Sequence, residues 1–427
     1  MKGRIVAVAT LIGLAGIGGV AQAQLRGHGG PVRGVAVSAD GRVAASGSFD
    51  ETAIRWSLTR NAAEQVLRFH EGAVNAIAIL RDGRTVTAGE DGRIAVWTPG
   101  RAEPDRVWAE HKAPVVALAI SADEATIASA SWDRTIRLWS LAGAPARVLE
   151  GHTQNVNGVA FAPDGRLVSA GYDATLRIWP REREAAPVVT TLPTPLNAVA
   201  VAVDGEIVTA GADGKVYVVA PNGARAAEVE AGATPIIALA VSGDGRLVAA
   251  AGIRGAVAII DRATRTVART LVGPGLPVWS LAFLPDSHTL ITGGTDRMVR
   301  RWNAATGEHV GSVVMGAPED PLAAYAGDRG AEVFRACIAC HTLAADQGPR
   351  AGPTLAGIFG RRIATAPGYH YSEALKKLDI VWTPETIARL FEVGPMTYTP
   401  GTKMPEQKIT SAEDRQALVK FLERVTR

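Results

Sequence analysis

The chain has 427 residues, which is long for one hydrophobic core and predicts two or three domains. Hydrophobic residues make up 47% of it, an ordinary fraction for a folded protein that argues against extensive disorder. The formal net charge of +3 is too small to indicate nucleic-acid binding.

The first 23 residues have the layout of a secretory signal peptide. Lys2 and Arg4 precede an apolar run over residues 5–20, and residues 21–23, Ala-Gln-Ala, are typical of a cleavage site. The run is short for a membrane-spanning helix, which needs about 20 residues, although an uncleaved anchor is the alternative. No later stretch is apolar enough to cross a bilayer. We therefore expect an exported protein without stable membrane insertion.

Between about residue 24 and residue 316 the sequence repeats with a period near 41. One marker lies in each of seven units, at intervals of 40 to 42 residues: Trp56, Trp97, Trp139, Trp179, Val219, Ile260 and Trp302. A second marker is an aspartate that Gly follows in five of the seven units, a strong signal for a hairpin turn: Asp40, Asp82, Asp123, Asp164, Asp204, Asp244 and Asp286.

Short apolar runs of strand length, such as residues 156–161, 167–171 and 175–179, lie between these markers. A period of 40 to 45 with four short strands per unit is typical of a propeller blade. The repeats resemble the WD-repeat family, and this resemblance implies an all-β, seven-bladed propeller over 24–316. Either residues 24–26 or residues 309–315 could supply the outer strand of the last blade.

His152, Ser169 and Asp173 have the residue types of a hydrolase triad. Equivalent residues recur in the first four units, however, each time with a tryptophan: His28, Ser46, Asp50 and Trp56; His70, Thr87, Asp91 and Trp97; His111, Ser129, Asp133 and Trp139. A catalytic site occurs once, whereas the resemblance implies a structural hydrogen-bond network that recurs from blade to blade, although the last three units lack the histidine. A propeller is a rigid disc whose faces are lined by loops, so we expect it to bind proteins, either a redox partner or the chain's own C-terminal domain.

Residues 317–327 contain two prolines and interrupt the repeat, which indicates a linker. Beyond it, Cys337, Cys340 and His341 form a Cys-x-x-Cys-His motif, which is typical of covalent haem attachment. Each thiol can add to one vinyl group of a porphyrin, and the histidine then places its imidazole under the iron. A redox pair with a neighbouring histidine is the alternative. Because the chain has only these two cysteines, the motif predicts one haem c and leaves no disulfide framework.

Residues 328–427 resemble the class I c-type cytochromes, which are small all-α proteins. Residues 398–404, Tyr-Thr-Pro-Gly-Thr-Lys-Met, match that family's distal-ligand loop, and Gly330 and Phe334 match its first helix. A last helix from about Ser411 is expected to pack Leu418 and Phe421 against that first helix.

The resemblance also implies roles for single residues around the haem. Met404 is the expected sixth ligand, with Met396 as the alternative, and the carbonyl of Pro353 is expected to accept a hydrogen bond from His341. The same resemblance implies that three side chains lie near the haem carboxylates: Arg361, Tyr371 and Trp382.

An iron with both axial positions filled can pass an electron but has no open site for substrate. The sequence therefore predicts a periplasmic single-electron carrier rather than an enzyme, docked through its propeller to periplasmic or membrane-bound redox proteins. From residue 328 onward there are 14 Lys/Arg and 11 Asp/Glu, so this part could attract an acidic partner. The alternatives are a haem oxidoreductase or peroxidase, and a haem-based sensor.

Overall fold

The computed structural model describes residues 24–182, 185–232, 234–272, 275–310, 322–335, 337–339, 341–344, 352–367, 369, 371–400, 402, 404 and 407–426. The predicted signal segment and Cys340 lie outside the described residues.

Seven antiparallel sheets of four strands each form the N-terminal part, which confirms the expected seven-bladed propeller. Blade 1 consists of β2 (Val32–Val37), β3 (Val43–Ser48), β4 (Thr52–Ser57) and β5 (Ala62–Arg68). Blade 2 consists of β6 (Val74–Ile79), β7 (Thr85–Gly89), β8 (Ile94–Trp97) and β9 (Arg106–Trp108). Blade 3 consists of β10 (Val115–Ile120), β11 (Thr126–Ser131), β12 (Ile136–Ser140) and β13 (Arg147–Leu149). Blade 4 consists of β14 (Val156–Phe161), β15 (Leu167–Gly171), β16 (Thr175–Trp179) and β17 (Val188–Thr191). Blade 5 consists of β18 (Leu196–Val201), β19 (Ile207–Gly211), β20 (Lys215–Val219) and β21 (Arg225–Glu230). Blade 6 consists of β22 (Ile236–Val241), β23 (Leu247–Gly252), β24 (Ala256–Asp261) and β25 (Thr266–Val272).

The seventh blade joins the two ends of the propeller. It consists of β26 (Val278–Phe283), β27 (Thr289–Gly294), β28 (Met298–Asn303) and, as its outer strand, β1 (Gln24–Arg26). Leu25 lies opposite Val299 in this pairing and is fully buried. The innermost strands of successive blades lie side by side, and β26 lies against β2. The N-terminal strand therefore closes the ring, which answers the question that the sequence left open.

The turn between the first two strands of each blade needs a left-handed backbone conformation. The glycine after the marker aspartate has a positive φ in all five blades that carry one: Gly41, Gly83, Gly165, Gly205 and Gly245. Glu124 and Ser287 occupy the same place in the other two blades, with φ of 55° and 60°. Ser287 accepts a hydrogen bond from the backbone N–H of Asp244 (3.0 Å), and the side chain of Glu124 accepts one from Arg81 (2.9 Å). These bonds to neighbouring blades offset the strain of a side chain at this position.

The predicted network of His, Ser or Thr, Asp and Trp is present in blades 1 to 4. In blade 1 the imidazole Nδ1 of His28 lies 3.1 Å from the Asp50 carboxylate, and its Nε2 lies 2.8 Å from Ser46 Oγ. The indole N–H of Trp56 donates to the same Oγ at 2.7 Å. A carboxylate can only accept, so the proton lies on Nδ1 and the serine hydroxyl donates to Nε2. The corresponding contacts recur in the next three blades.

The network also holds its aspartates in the ionised form. Burial by itself would raise the pKa of the Asp91 carboxyl, but hydrogen bonds from His70 and from the backbone N–H groups of Glu71 and Arg93 lower it to about 2. An aspartate whose pKa is depressed in the folded state stabilises the fold above its unfolded pKa of about 3.9 and loses that contribution as the pH falls toward 2. The network is therefore a structural element, and its recurrence in four blades argues against a hydrolase site.

Blades 5 and 7 keep only parts of this network. In blade 7 the indole N–H of Trp302 donates to Thr292 Oγ1 at 3.1 Å. In blade 5 Tyr217 stands two residues before the marker Val219, and its hydroxyl donates to Asp213. This tyrosine replaces the histidine as the partner of the aspartate, a substitution that the repeat pattern did not indicate.

The C-terminal part is helical, as expected. It contains α1 (Arg329–Phe334), α2 (Glu373–Lys376), α3 (Pro384–Val393), α4 (Pro395–Tyr398) and α5 (Ala412–Val425), with 3₁₀ turns at Ala323–Tyr325 and Cys337–Ala339. Helix α5 begins directly after Ser411, close to the expected start of the last helix, and Ser411 caps it by accepting the backbone N–H of Asp414 at 3.1 Å. Among the described residues, no helix has both the length and the apolar composition to cross a membrane.

Removing one histidine of the network tests its structural role. His152→Ala leaves Asp173 and Ser169 buried without this partner, so we expect a loss of about 1–3 kcal/mol in the free energy of unfolding. Denaturant unfolding followed by circular dichroism measures this loss, with the exposed neighbour Thr153→Ala as the control. Equal stability of the two variants would contradict the structural role.

Candidate haem site

Helices α1 and α5 cross at close range and form the base of the C-terminal domain. A Cβ at Gly330 would collide with the backbone carbonyl of Ala417 and with Cβ of Phe421. The rings of Phe334 and Phe421 lie 5.7 Å apart, and Leu418 is fully buried beside them. This confirms the expected packing of the first and last helices. The crossing fixes the end of α1, and the cysteine motif begins three residues after that end.

The chain after α1 makes one tight turn that ends at His341. The backbone N–H of His341 donates to the carbonyl of Cys337 at 3.0 Å, so both residues belong to the same helical turn. Cys337 is buried, and its thiol lies 3.9 Å from the side-chain oxygen of Gln407. Both Cys337 and His341 line a mostly apolar cavity inside the domain.

The orientation of the His341 ring is fixed by one hydrogen bond. Its Nδ1 lies 2.8 Å from the backbone carbonyl of Pro353. Because a carbonyl only accepts, Nδ1 carries the proton, and Nε2 is the atom with the lone pair that a metal would take. This is the contact that the resemblance to cytochromes implies, and it raises the basicity of the ligating nitrogen.

The two candidate methionines differ in position. Met404 is half-buried and lines the same cavity as His341, and its backbone N–H donates to Thr402 Oγ1 at 3.1 Å. The side chain of Met396 is 65% exposed and is not among the residues that line the cavity. The geometry therefore favours Met404 over Met396, while its role as a ligand stays a prediction.

A group of neighbouring polar residues lines part of the cavity, called its polar end here, and the group contains the three residues assigned to the haem carboxylates. Arg361, Tyr371 and Trp382 all line it, together with Tyr369, whose ring centroid lies 4.6 Å from that of Tyr371. Two backbone hydrogen bonds join Trp382 to the loop of Arg361: its N–H donates to Arg361 O at 2.9 Å, and its carbonyl accepts from Gly360 at 2.8 Å.

Burial shifts the pKa values of two groups at this polar end. It raises the pKa of the Tyr371 hydroxyl, which keeps the group a neutral donor. Burial also lowers the pKa of Arg361, although a guanidinium stays charged in proteins. The terminal nitrogens of Arg361 donate to the carbonyls of Ala356 and Thr354 at 3.0 and 2.8 Å.

The propeller contributes residues that the sequence did not indicate. Asp50, Thr52 and Arg68, all of blade 1, line the same cavity as His341. The guanidinium carbon of Arg68 lies 3.9 Å from the ring centroid of Tyr369. No motif marks Arg68, because its position depends on how the propeller and the C-terminal domain pack on each other.

The described residues fit a haem. Imidazole and thioether donors line one cavity, a combination that suits haem iron. The walls are apolar, and the polar end offers the donors that buried carboxylates need. Cys337 is in place for a thioether bond, while Cys340 lies outside the described residues. This set of residues defines a c-type haem protein.

Comparison with known proteins gives the family. Residues 327–426 match the family "Cytochrome c", and residues 19–57, 62–98, 102–140, 143–180 and 265–303 match "WD domain, G-beta repeat". The C-terminal part is similar to the cytochromes c of Cochliobolus lunatus and Arabidopsis thaliana, each 40% identical over 100 residues, which are 23% of this chain and 92% and 88% of those proteins. It is also 40% identical over 109 residues to cytochrome c type-1 of Ascaris suum, covering 25% of this chain and 92% of that protein.

The chain belongs to the cytochrome c family through its C-terminal domain and carries WD repeats before it. The presence of this domain implies covalently bound haem c and haem-based electron transfer, and the WD repeats suggest protein interaction.

A substitution at the helix crossing tests how the site is supported. Alanine has the higher helix propensity, so Gly330→Ala would stabilise an isolated helix by about 1 kcal/mol. The collision with α5 should instead destabilise the domain by about 1–3 kcal/mol. Chemical unfolding followed by haem absorption measures this, and Lys420→Ala on the exposed face of α5 is the control. A more stable Gly330→Ala variant would contradict the close crossing.

Proposed function

We propose that this protein is a periplasmic single-electron carrier with one haem c, bound through Cys337 and Cys340 and ligated by His341 and Met404. The observation that carries the proposal is that His341 and Met404 line one cavity, with the imidazole held by the carbonyl of Pro353. The haem would supply a one-electron couple, and filled axial positions leave no site for a substrate.

The residues of the chain account for the properties that such a carrier needs. The hydrogen bond to Pro353 keeps Nε2 of His341 without a proton. It also holds the ring in one orientation, so the lone pair of Nε2 points in a fixed direction. The thioether of Met404 raises the reduction potential relative to nitrogen or oxygen ligands. The apolar walls exclude water, so little solvent would reorganise when the charge of the haem iron changes.

The proposed location follows from the first 23 residues and the haem chemistry together. Residues 1–23 have the layout of an export signal. Bacteria attach c-type haem on the outer side of the cytoplasmic membrane, so a protein with this motif needs export. The two features support a periplasmic protein.

The propeller is proposed to dock a redox partner protein. Phe49, Trp132 and Tyr172 each stand directly before the network aspartate of their blade, so they occupy equivalent places on one face of the disc. Their side chains are 46%, 43% and 47% exposed. Exposed aromatic side chains on one face are typical of a protein interaction surface. The net charge of +3 on residues 328–427 favours an acidic partner.

Carbon monoxide distinguishes a carrier from the two alternatives. The purified protein should be coloured, and its reduced form should not bind the gas, because Met404 occupies the sixth position. Absorption spectra before and after adding carbon monoxide to the reduced protein test this. Rapid binding would instead support an oxidoreductase, a peroxidase or a sensor, and a colourless exported protein would contradict haem attachment.

The two methionines give a matched pair of variants. Met404→Ala should lose the weak far-red absorption band of a ferric haem with a thioether ligand, and its reduced form should bind carbon monoxide. Met396→Ala should behave as the unmodified protein, because this side chain is 65% exposed and does not line the cavity. The opposite pattern would assign the ligand to Met396.

A further inference from the structure

Arg68 brings a positive charge from the propeller to the haem cavity. It is the last residue of β5 and pairs with Thr52, the first residue of β4. Its guanidinium stacks on the ring of Tyr369 at 3.9 Å, and both side chains line the cavity that contains His341 and Met404. This contact joins the propeller to the loop at the polar end of the cavity.

Two guanidinium groups, one from each domain, lie close enough to Tyr371 for their charges to influence its hydroxyl. The charges of Arg361 and Arg68 both oppose the rise in the pKa of Tyr371 that burial causes. The one carboxylate among the described lining residues is Asp50. Its oxygens accept hydrogen bonds within blade 1, from His28, from the N–H of Gly29 and from Thr52. The polar end therefore combines two cations and two phenols, a composition suited to an anion.

A haem c has two carboxylates on the edge opposite its thioether bonds, and buried carboxylates need charged donors. Arg361 directs one N–H of each terminal nitrogen to a backbone carbonyl, at 3.0 and 2.8 Å, so two of its five N–H donors are already used. Arg68 approaches the same end from the other domain.

We infer that Arg68 binds a haem carboxylate, so that the propeller forms part of the haem site and holds the two domains together there. The inference rests on the proposed haem carrier. A planar guanidinium can stack on Tyr369 with its face and donate to a carboxylate with its edge at the same time. The propeller thereby tunes the reduction potential of the haem, in addition to docking a partner.

Redox titration of the full haem-containing protein tests this inference with two variants of equal charge. Arg68→Gln removes a cation beside the haem, which disfavours the less positive reduced form, so the midpoint potential should fall. We expect a shift of about three- to tenfold in the reduction equilibrium, where tenfold corresponds to about 59 mV for one electron. Arg60→Gln is the control, because Arg60 belongs to the same blade, is 68% exposed and pairs with Glu64.

Hydrogen exchange gives a second readout that does not depend on the haem potential. In Arg68→Gln the peptide that contains Tyr369 should exchange faster, since its stacking partner is lost, while peptides from β4 should exchange as in the unmodified protein. Faster exchange in β4 would show that blade 1 itself is damaged and would overturn the specific role of Arg68.

The failure of this inference differs from that of the proposed function. A coloured Arg68→Gln protein with an unchanged potential, or an equal shift in Arg60→Gln, would overturn the inference and leave the carrier intact. A colourless unmodified protein would overturn both.

Discussion

The hydrogen bond between His341 and the carbonyl of Pro353 is the contact on which the site depends most. It fixes the proton on Nδ1 and the orientation of the ring, so the lone pair of Nε2 points in one direction, where the iron of the proposed haem would lie. The rest of the domain keeps this arrangement in place: the crossing at Gly330 sets the end of α1, and the helical turn from Cys337 then sets His341. A cofactor that is bound covalently still needs this geometry, because attachment holds the porphyrin but does not orient the axial imidazole.

The propeller uses similar chemistry for a different purpose. In each of its first four blades a histidine lies between a carboxylate and a hydroxyl, an order that elsewhere activates a nucleophile. Here the indole N–H of a tryptophan also donates to the hydroxyl oxygen, and all of these groups are almost fully buried. The hydroxyl is thus engaged on both sides and inaccessible to substrate. The same three residue types instead stabilise four of the seven blades and hold the loops of those blades in fixed positions.

The sequence predicts the repeat, the blade number and the network well, because each depends on contacts that recur at a fixed spacing. The haem cavity is also predictable, since a local motif at Cys337 and a loop around Met404 mark two of its sides. Two features could not be predicted. Tyr217 replaces a histidine in blade 5, and such a substitution is visible only when the side chains are placed in space. The outer strand of the last blade had two equivalent candidates, and only the pairing of Leu25 with Val299 distinguishes them.

The approach of Arg68 to the cavity could not be predicted from the sequence either, because it depends on the packing of one domain on another. No periodicity within either domain constrains it, and 300 residues lie between Arg68 and Tyr369 along the chain. Its physical consequence is nevertheless direct. A cation that reaches the haem edge only when the domains are packed together couples the reduction potential to that packing. A partner that binds the propeller and shifts its position would then change the driving force for electron transfer. In this way the propeller, which contains neither cysteine of the haem-attachment motif, can influence the redox step.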